Sequence, residues 1–218
     1  MASLETFARI LATLAQGAWV ALQVAAGAFV LAATLGLVLA VCATFGRSRL
    51  LRWAIAAYVE WMRHVPALAH LFLLYFGLAS LGLRLSPLFA AVVGLGLVGA
   101  AVLCDLFAAA LKSLHVGQRE AALSVGLTPL RTLRHVLLPQ ALRVSLPSLG
   151  NYVSQLVKDT SIASAIAAPE VMFFARNLVT STFETTLIYL VAMLLYAAMI
   201  LPIGWAFART ERRLEAHR

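Results

Sequence analysis

Four stretches of the chain, residues 10–46, 64–83, 85–104 and 185–208, contain no Asp, Glu, Lys or Arg. A helix that crosses the hydrocarbon core needs roughly 20 apolar residues at about 1.5 Å rise each, so each stretch predicts a span. A fifth candidate runs from Ser145 to Ala168, interrupted by Lys158 and Asp159. The expected spans are 17–45, 55–80, 86–111, 145–168 and 184–208, in one membrane domain over residues 1–218, with a polar connection at 113–143. The pattern predicts an all-α integral membrane protein with five transmembrane helices. The first uncharged run is too long for the apolar region of a signal peptide, and no basic residue precedes Arg9; it is expected to be a retained helix.

Composition sharpens the class. Of 218 residues, 62% are hydrophobic and 12% charged, against about 25% charged in a soluble domain. That excludes a water-soluble globule and a disordered chain. The net charge of +8 is mostly a matter of topology. Arg47, Arg49, Arg52, Lys112, Arg119, Arg131, Arg134, Arg143, Arg209, Arg212, Arg213 and Arg218 fall on one side of the five spans, and only Arg9, Arg84 and Arg176 on the other. Basic short loops stay cytoplasmic, so the N-terminus is expected outside and the C-terminus inside, a parity that five spans satisfy. Nucleic acid is not an expected partner. Cys42 and Cys104 both fall inside spans and are expected to be small buried residues, not a disulfide.

The connection at 113–143 has the punctuation of two short helices. Gln118 to Val125 predicts one, closed by Gly126. Thr128 and Pro129 predict the N-cap and first turn of another, with Pro139 ending or kinking it and Pro147 marking the start of the fourth span.

The same residues carry a family pattern. Glu120-Ala121-Ala122, three residues, Gly126, nine residues, Val136, one residue, then Leu138-Pro139 match the "EAA" loop of the membrane subunits of bacterial ATP-binding-cassette importers, with Val for the usual Ile. Tyr58 to Arg63, Leu71 to Gly77, Leu138 to Arg143 and Lys158-Asp159-Thr160-Ser161 followed by Pro169-Glu170 resemble the polar-amino-acid permeases of that superfamily. The likeness covers about residues 15–210. It implies a type I importer permease fold in a bacterial inner membrane, a coupling helix at Gln118–Val125 seated in a separate ATPase subunit, a second permease copy (identical or not), and a periplasmic or lipid-anchored substrate-binding protein. Glu120, Ala121, Ala122, Gly126, Leu138 and Pro139 become the expected ATPase-coupling residues, with Glu120 at the positive N-terminal end of its helix. ATP and Mg would belong to the partner ATPase. The implied cargo is a polar amino acid or related small zwitterion.

Two other patterns lead nowhere. Gly94-Leu95-Gly96-Leu97-Val98-Gly99 fits G-x-G-x-x-G but lies inside an uncharged run, where a small-residue packing face is the better reading. The chain has no G-x-x-x-x-G-K-[ST] and no H-E-x-x-H, and His64 and His70, six apart, lie on different helix faces. No catalytic or metal site is expected.

Ionisable groups inside a span face protein or water. Ser148, Asn151, Gln155 and Lys158/Asp159 recur at three- and four-residue steps, one stripe of a helix, expected to line a substrate pathway or form a polar packing seam. Thr160 and Ser161 join it through the family pattern. Glu60, Arg63, His64 and His70 in the second span and Asp105 in the third complete the expected pathway residues; Glu60 and His64, four apart, can interact, and Arg63 can instead be an interfacial anchor. Against the family, Arg63-His64-Val65-Pro66 replaces Arg-Gly-Thr-Pro, His70 replaces a frequent Gln, Asp105 a common Glu, and Val102 and Ala108 a common Tyr and Arg. The alternative function, an ion-coupled secondary amino-acid transporter, is disfavoured because the spans show no paired short or interrupted helices. A membrane enzyme subunit lacks any nucleophile–base or metal constellation.

Overall fold

The computed structural model describes residues 2–215; Arg218, counted above for topology, lies outside the described residues. All regular structure among them is helical. α1 (Ala2–Phe45) has 44 residues, roughly twice the length a ~30 Å hydrocarbon core requires. Its early part, at Ile10, Leu14 and Ala18, packs against Val171, Ala175, Ile188 and Val191. Its later part lies along the helix Pro87–Ser113, with Ala32 and Ala40 buried against Ala101, Leu103 and Phe107.

α2 (Arg49–His64) starts at Ser48, whose Oγ accepts from the Leu51 amide at 3.3 Å. It stops at Val65-Pro66, and α3 (Ala67–Ser80) leaves at 104°. Proline has no amide hydrogen and drives the preceding residue out of the helical region; Val65 is accordingly extended (φ −93°, ψ 135°). The expected span 55–80 is therefore broken, which a count of charges cannot reveal because proline is uncharged. α4 (Pro87–Ser113) opens with Ser86 as N-cap and Pro87 in its first turn. Gly94, Gly96 and Gly99 do not share one packing face but let three different helices close in: a Cβ would meet Leu71 of α3, Leu31 of α1 and the Tyr152 hydroxyl respectively.

α5 (Val116–Ser124) is capped by His115, whose Nδ1 accepts from the Gly117 amide at 3.1 Å. It closes on Gly126 at φ +84°, where the Leu127 amide reaches the Ala122 carbonyl (3.1 Å) and the Gly126 amide that of Leu123 (3.0 Å). This paired termination favours glycine at the left-handed position. Glu120 stands in the middle of α5, not at its positive end as expected, because the helix begins two residues before Gln118.

α6 (Pro129–Ile166) begins with the Thr128–Pro129 cap and runs on without stopping. Pro139 follows a wide π turn at Leu133–Leu137, an extra residue that absorbs the proline, and Pro147 sits inside the helix. Neither ends it, so the polar connection and the expected span 145–168 are one helix whose last turns, Thr160–Ile166, tighten to 3-10 geometry. After Ala167 (φ +61°) the chain turns by 51° into α7 (Val171–Thr182), where only a connection was expected. α8 (Thr185–Glu215) completes the chain. Three helices are long and apolar enough to cross a membrane, and five segments are if each bent pair counts as one.

Candidate functional site

α2 and α6 both pack against α4. Between these contacts α4 leaves Val102, Asp105, Ala109 and Lys112 exposed, and their three- and four-residue spacing puts them on one stripe. The stripe is the floor of a groove with two concavities. One, of about 370 Å³, lies between the α2–α3 bend (Met62, Arg63, His64, Pro66) and Val98 and Val102. The other, of about 270 Å³, lies between Leu106, Ala109 and Ser113 of α4 and Val144, Ser145 and Ser148 of α6. Asp105 stands between the two levels and forms an ion pair with Arg63, each side chain 49% exposed. Arg63 is thus engaged across the groove and is not a free interfacial anchor. One turn along α2, Glu60 Oε2 meets His64 Nε2 at 2.7 Å.

On α6, Ser148, Asn151, Gln155 and Lys158 are exposed and Asp159 half-buried. Among the described residues no other helix covers these exposed positions. The Gln155 amide donates to Asp159 Oδ1 at 2.8 Å. Backbone and polar side chains left open toward hydrocarbon are expensive, so the stripe calls for water or another protein surface. Thr160 does not share it: the residue is fully buried and its hydroxyl donates to the Val157 carbonyl at 2.7 Å. Ser161 is half-buried. His70 is on α3, apart from the Arg63 cavity.

The α5 region forms a second cluster. Glu120 and Ala121 are exposed and Ala122 is buried. Leu138 and Pro139 lie at the beginning of the regular α-helical stretch of α6, Leu138–Asp159. The Gln140 amide donates to Gln118 Oε1 at 3.2 Å and to the Val136 carbonyl at 2.9 Å, pinning α5 to α6 through a pair that sequence spacing does not announce.

Sequence reasoning also missed Glu170 as a working residue. It is fully buried; Oε1 accepts from the Phe173 amide (2.8 Å) as the N-cap of α7, and Oε2 accepts from the Tyr196 hydroxyl (2.6 Å) on α8. Gly17 of α1 packs on the backbone at Glu170–Val171, where a Cβ would come within 2.7 Å. Nearby, Arg176 donates to the Ser164 carbonyl at 2.7 Å. Two signs were available: Pro169-Glu170 belongs to the family pattern, and an acidic residue stands directly before a helical run. Among the described residues no group of His, Cys, Asp and Glu is arranged to hold a metal ion, and both cysteines are free.

Residues 32–216 match the family described as "Binding-protein-dependent transport system inner membrane component". The chain is 36% identical over 175 residues to the "Probable amino-acid ABC transporter permease protein YckA" of Bacillus subtilis, covering 80% of this chain and 77% of that protein. It is 33% identical over 186 residues to the L-cystine transport system permease protein TcyB of the same organism, covering 84% and 80%. Among solved structures, an amino acid ABC transporter with histidines superposes with a TM-score of 0.86 at 26% identity, over 97% of each chain. An inward-facing MetNI methionine ABC transporter superposes with a TM-score of 0.75 at 25% identity, over 92% of this chain and 95% of that one.

Proposed function

Because the chain belongs to the binding-protein-dependent transport system inner membrane components, it is the non-enzymatic, membrane-embedded permease subunit of an ATP-binding-cassette importer, and we propose that the groove floored by α4 is its half of the solute path. Its type I importer permease fold, inner-membrane location and dependence on a separate ATPase and a substrate-binding protein follow from the family and the structural match. The observation that carries the path reading is the open groove itself, with Asp105 and Arg63 at mid-height and the α6 stripe unsealed beside it.

A second permease copy covers the stripe, so that the two grooves enclose the path. The relatives' names make an amino acid the cargo class, and a paired cation and anion in the groove suit a zwitterion. The binding protein docks on the outer side, with the N-terminus outside and the C-terminus inside. α5 sits in the ATPase, where the exposed Ala121 and Gly126 permit close approach and Glu120 offers a charged contact, while Ala122 is buried within this chain and the Gln118–Gln140 pair holds the helix to α6. ATP and Mg remain with the ATPase. Closure of that subunit pair biases which side of the membrane the groove faces, a coupling between two sites in the linkage sense.

Interrupted helices are a feature of ion-coupled carriers, and this chain has two bent pairs; their absence, expected from sequence, therefore gives no argument against that alternative. The family does. The test is uptake and substrate-stimulated ATPase in the reconstituted importer. Arg63→Gln and Asp105→Asn each abolish or strongly reduce uptake with assembly intact, and the charge-swapped pair Arg63→Asp/Asp105→Arg recovers part of it. Full uptake in both single variants would overturn the assignment of the groove.

A further inference from the structure

The chain leaves α7 through a strained corner. Phe183 stands there at φ +60°, in the left-handed region that costs any residue with a Cβ and is an outlier for a bulky one. Its amide donates to the Val179 carbonyl at 2.9 Å, a helix termination for which glycine or asparagine is the ordinary choice. Two bonds fix the turn beyond it: the Glu184 amide donates to Thr182 Oγ1 (3.4 Å) and the Thr185 amide to the Phe183 carbonyl (2.9 Å). The ring gains little from its own chain in exchange. Phe183 is 85% exposed, the most open large apolar side chain among the described residues. A single exposed apolar residue needs no explanation, but one held out by a strained backbone does, and such strain gathers at functional sites.

The surroundings of the ring exclude lipid tails. Asn177, Thr180 and Ser181 form an exposed polar face on α7 that Glu184 continues past its end, while Leu178 and Val179 pack inward with Ile10, Leu14 and Ile188. Polar groups of this density are not left in hydrocarbon, so the ring meets water or protein. A headgroup-level anchor uses Trp or Tyr, whose rings carry a polar tip; Phe has none. α7 packs mainly on α1 and α8, away from the groove of α2, α4 and α6 that a second permease copy covers. The count of basic residues puts the α7–α8 corner on the outer side, where the binding protein of a binding-protein-dependent system arrives. An apolar centre inside a polar rim is the make-up of a protein interface, and an aromatic ring is a common anchor in one.

We propose that Phe183 is the anchor by which this subunit holds its substrate-binding protein, the ring entering an apolar pocket of that protein and Asn177, Thr180, Ser181 and Glu184 forming the polar rim. This rests on the importer and orientation readings given above. A ring held out in advance by a fixed corner loses little freedom on docking, which is what the strained backbone supplies.

The experiment titrates the assembled importer in nanodiscs with its cognate binding protein, purified with the amino acid it retains, and reads ATPase stimulation and the thermal unfolding midpoint. Phe183→Gly relieves the corner and removes the ring. The binding-protein concentration for half-maximal stimulation is expected to rise roughly 5- to 30-fold. Basal ATPase and the stimulated maximum stay within about twofold of wild type, and the midpoint without binding protein is no lower than wild type, since glycine adopts positive φ freely. Phe183→Tyr keeps the ring and stays within about threefold of wild type. An unchanged half-maximal concentration in Phe183→Gly overturns the proposal. A lower midpoint without binding protein overturns it too, because the ring would then pack on lipid or on the second permease copy. Glu184→Cys separates the two readings, measured against the wild type, whose Cys42 and Cys104 lie inside spans. Labelling by a membrane-impermeant maleimide only from the cytoplasmic side sinks the orientation and the docking site with it. Labelling from outside, with an unchanged half-maximal concentration in Phe183→Gly, sinks the docking site alone.

Discussion

Replacing Glu170 by alanine attacks the joint where α1, α7 and α8 meet. The carboxyl does two separable things there: it caps α7 through the Phe173 amide and receives the Tyr196 hydroxyl. Loss of an N-cap costs about 0.5–2 kcal/mol. Leaving the Tyr196 hydroxyl without its acceptor costs a further ~1–3 kcal/mol. Glu170→Ala is therefore expected to destabilise the chain by about 2–4 kcal/mol, and Tyr196→Phe, which removes the donor and leaves a carboxyl still bonded to the Phe173 amide, by about 1 kcal/mol. The two effects share one hydrogen bond, so they are not additive. A double-mutant cycle by denaturant unfolding in micelles is expected to give a coupling energy of about 0.5–2 kcal/mol, with Glu170→Gln between wild type and Glu170→Ala because the amide still caps α7. A coupling energy of zero would refute the joint, and a Glu170→Ala variant as stable as wild type would refute both roles of the carboxyl.

Gly99→Val pushes a branched side chain into the Tyr152 hydroxyl and Ala32; overpacking of this kind costs about 1–3 kcal/mol, so a lower unfolding midpoint and loss of a monodisperse peak are expected, with recovery in Gly99→Val/Tyr152→Phe. Gly126→Val forces a β-branched residue to φ +84°, a penalty of about 1–3 kcal/mol, and unwinds the end of α5; transport and substrate-stimulated ATPase should fall together while the complex still assembles, and unchanged stimulation would show that α5 does not couple. Asp159→Asn keeps a partner for Gln155 but removes the charge at the end of the α6 stripe. It should slow uptake without lowering stability, and the opposite result would make the stripe a packing feature.

The uncharged runs located the apolar helices because the hydrocarbon core penalises charge far more than it penalises any particular apolar residue. The same logic hides geometry. Pro66 and Pro139 carry no charge, and a hydropathy count treats them alike, yet the first bends the chain by 104° and the second is absorbed by the π turn before it. What separates them is whether a neighbouring turn can widen to take the proline's missing donor, and that depends on packing around the turn. Periodicity did better where one helix face stays open: the Ser148–Lys158 stripe was visible as spacing, and it is open in the fold.

Pairings between helices were less legible. Arg63 and Asp105 are 42 residues apart, and Glu170 and Tyr196 are 26 apart, and nothing local links them. In an apolar chain, however, such residues are few, and each must find a partner or an aqueous surface. Of the acidic residues expected inside the membrane, Glu60 meets His64, Asp105 meets Arg63 and Asp159 meets Gln155. Two of these three partners lie one helical turn away on the same helix and were predictable from spacing. Only the Arg63–Asp105 pair spans two helices, and it alone crosses the groove. A contact that joins two elements is the one that must break if they separate, so the ion pair that sequence spacing cannot foresee is the natural place for a moving path to be read and controlled.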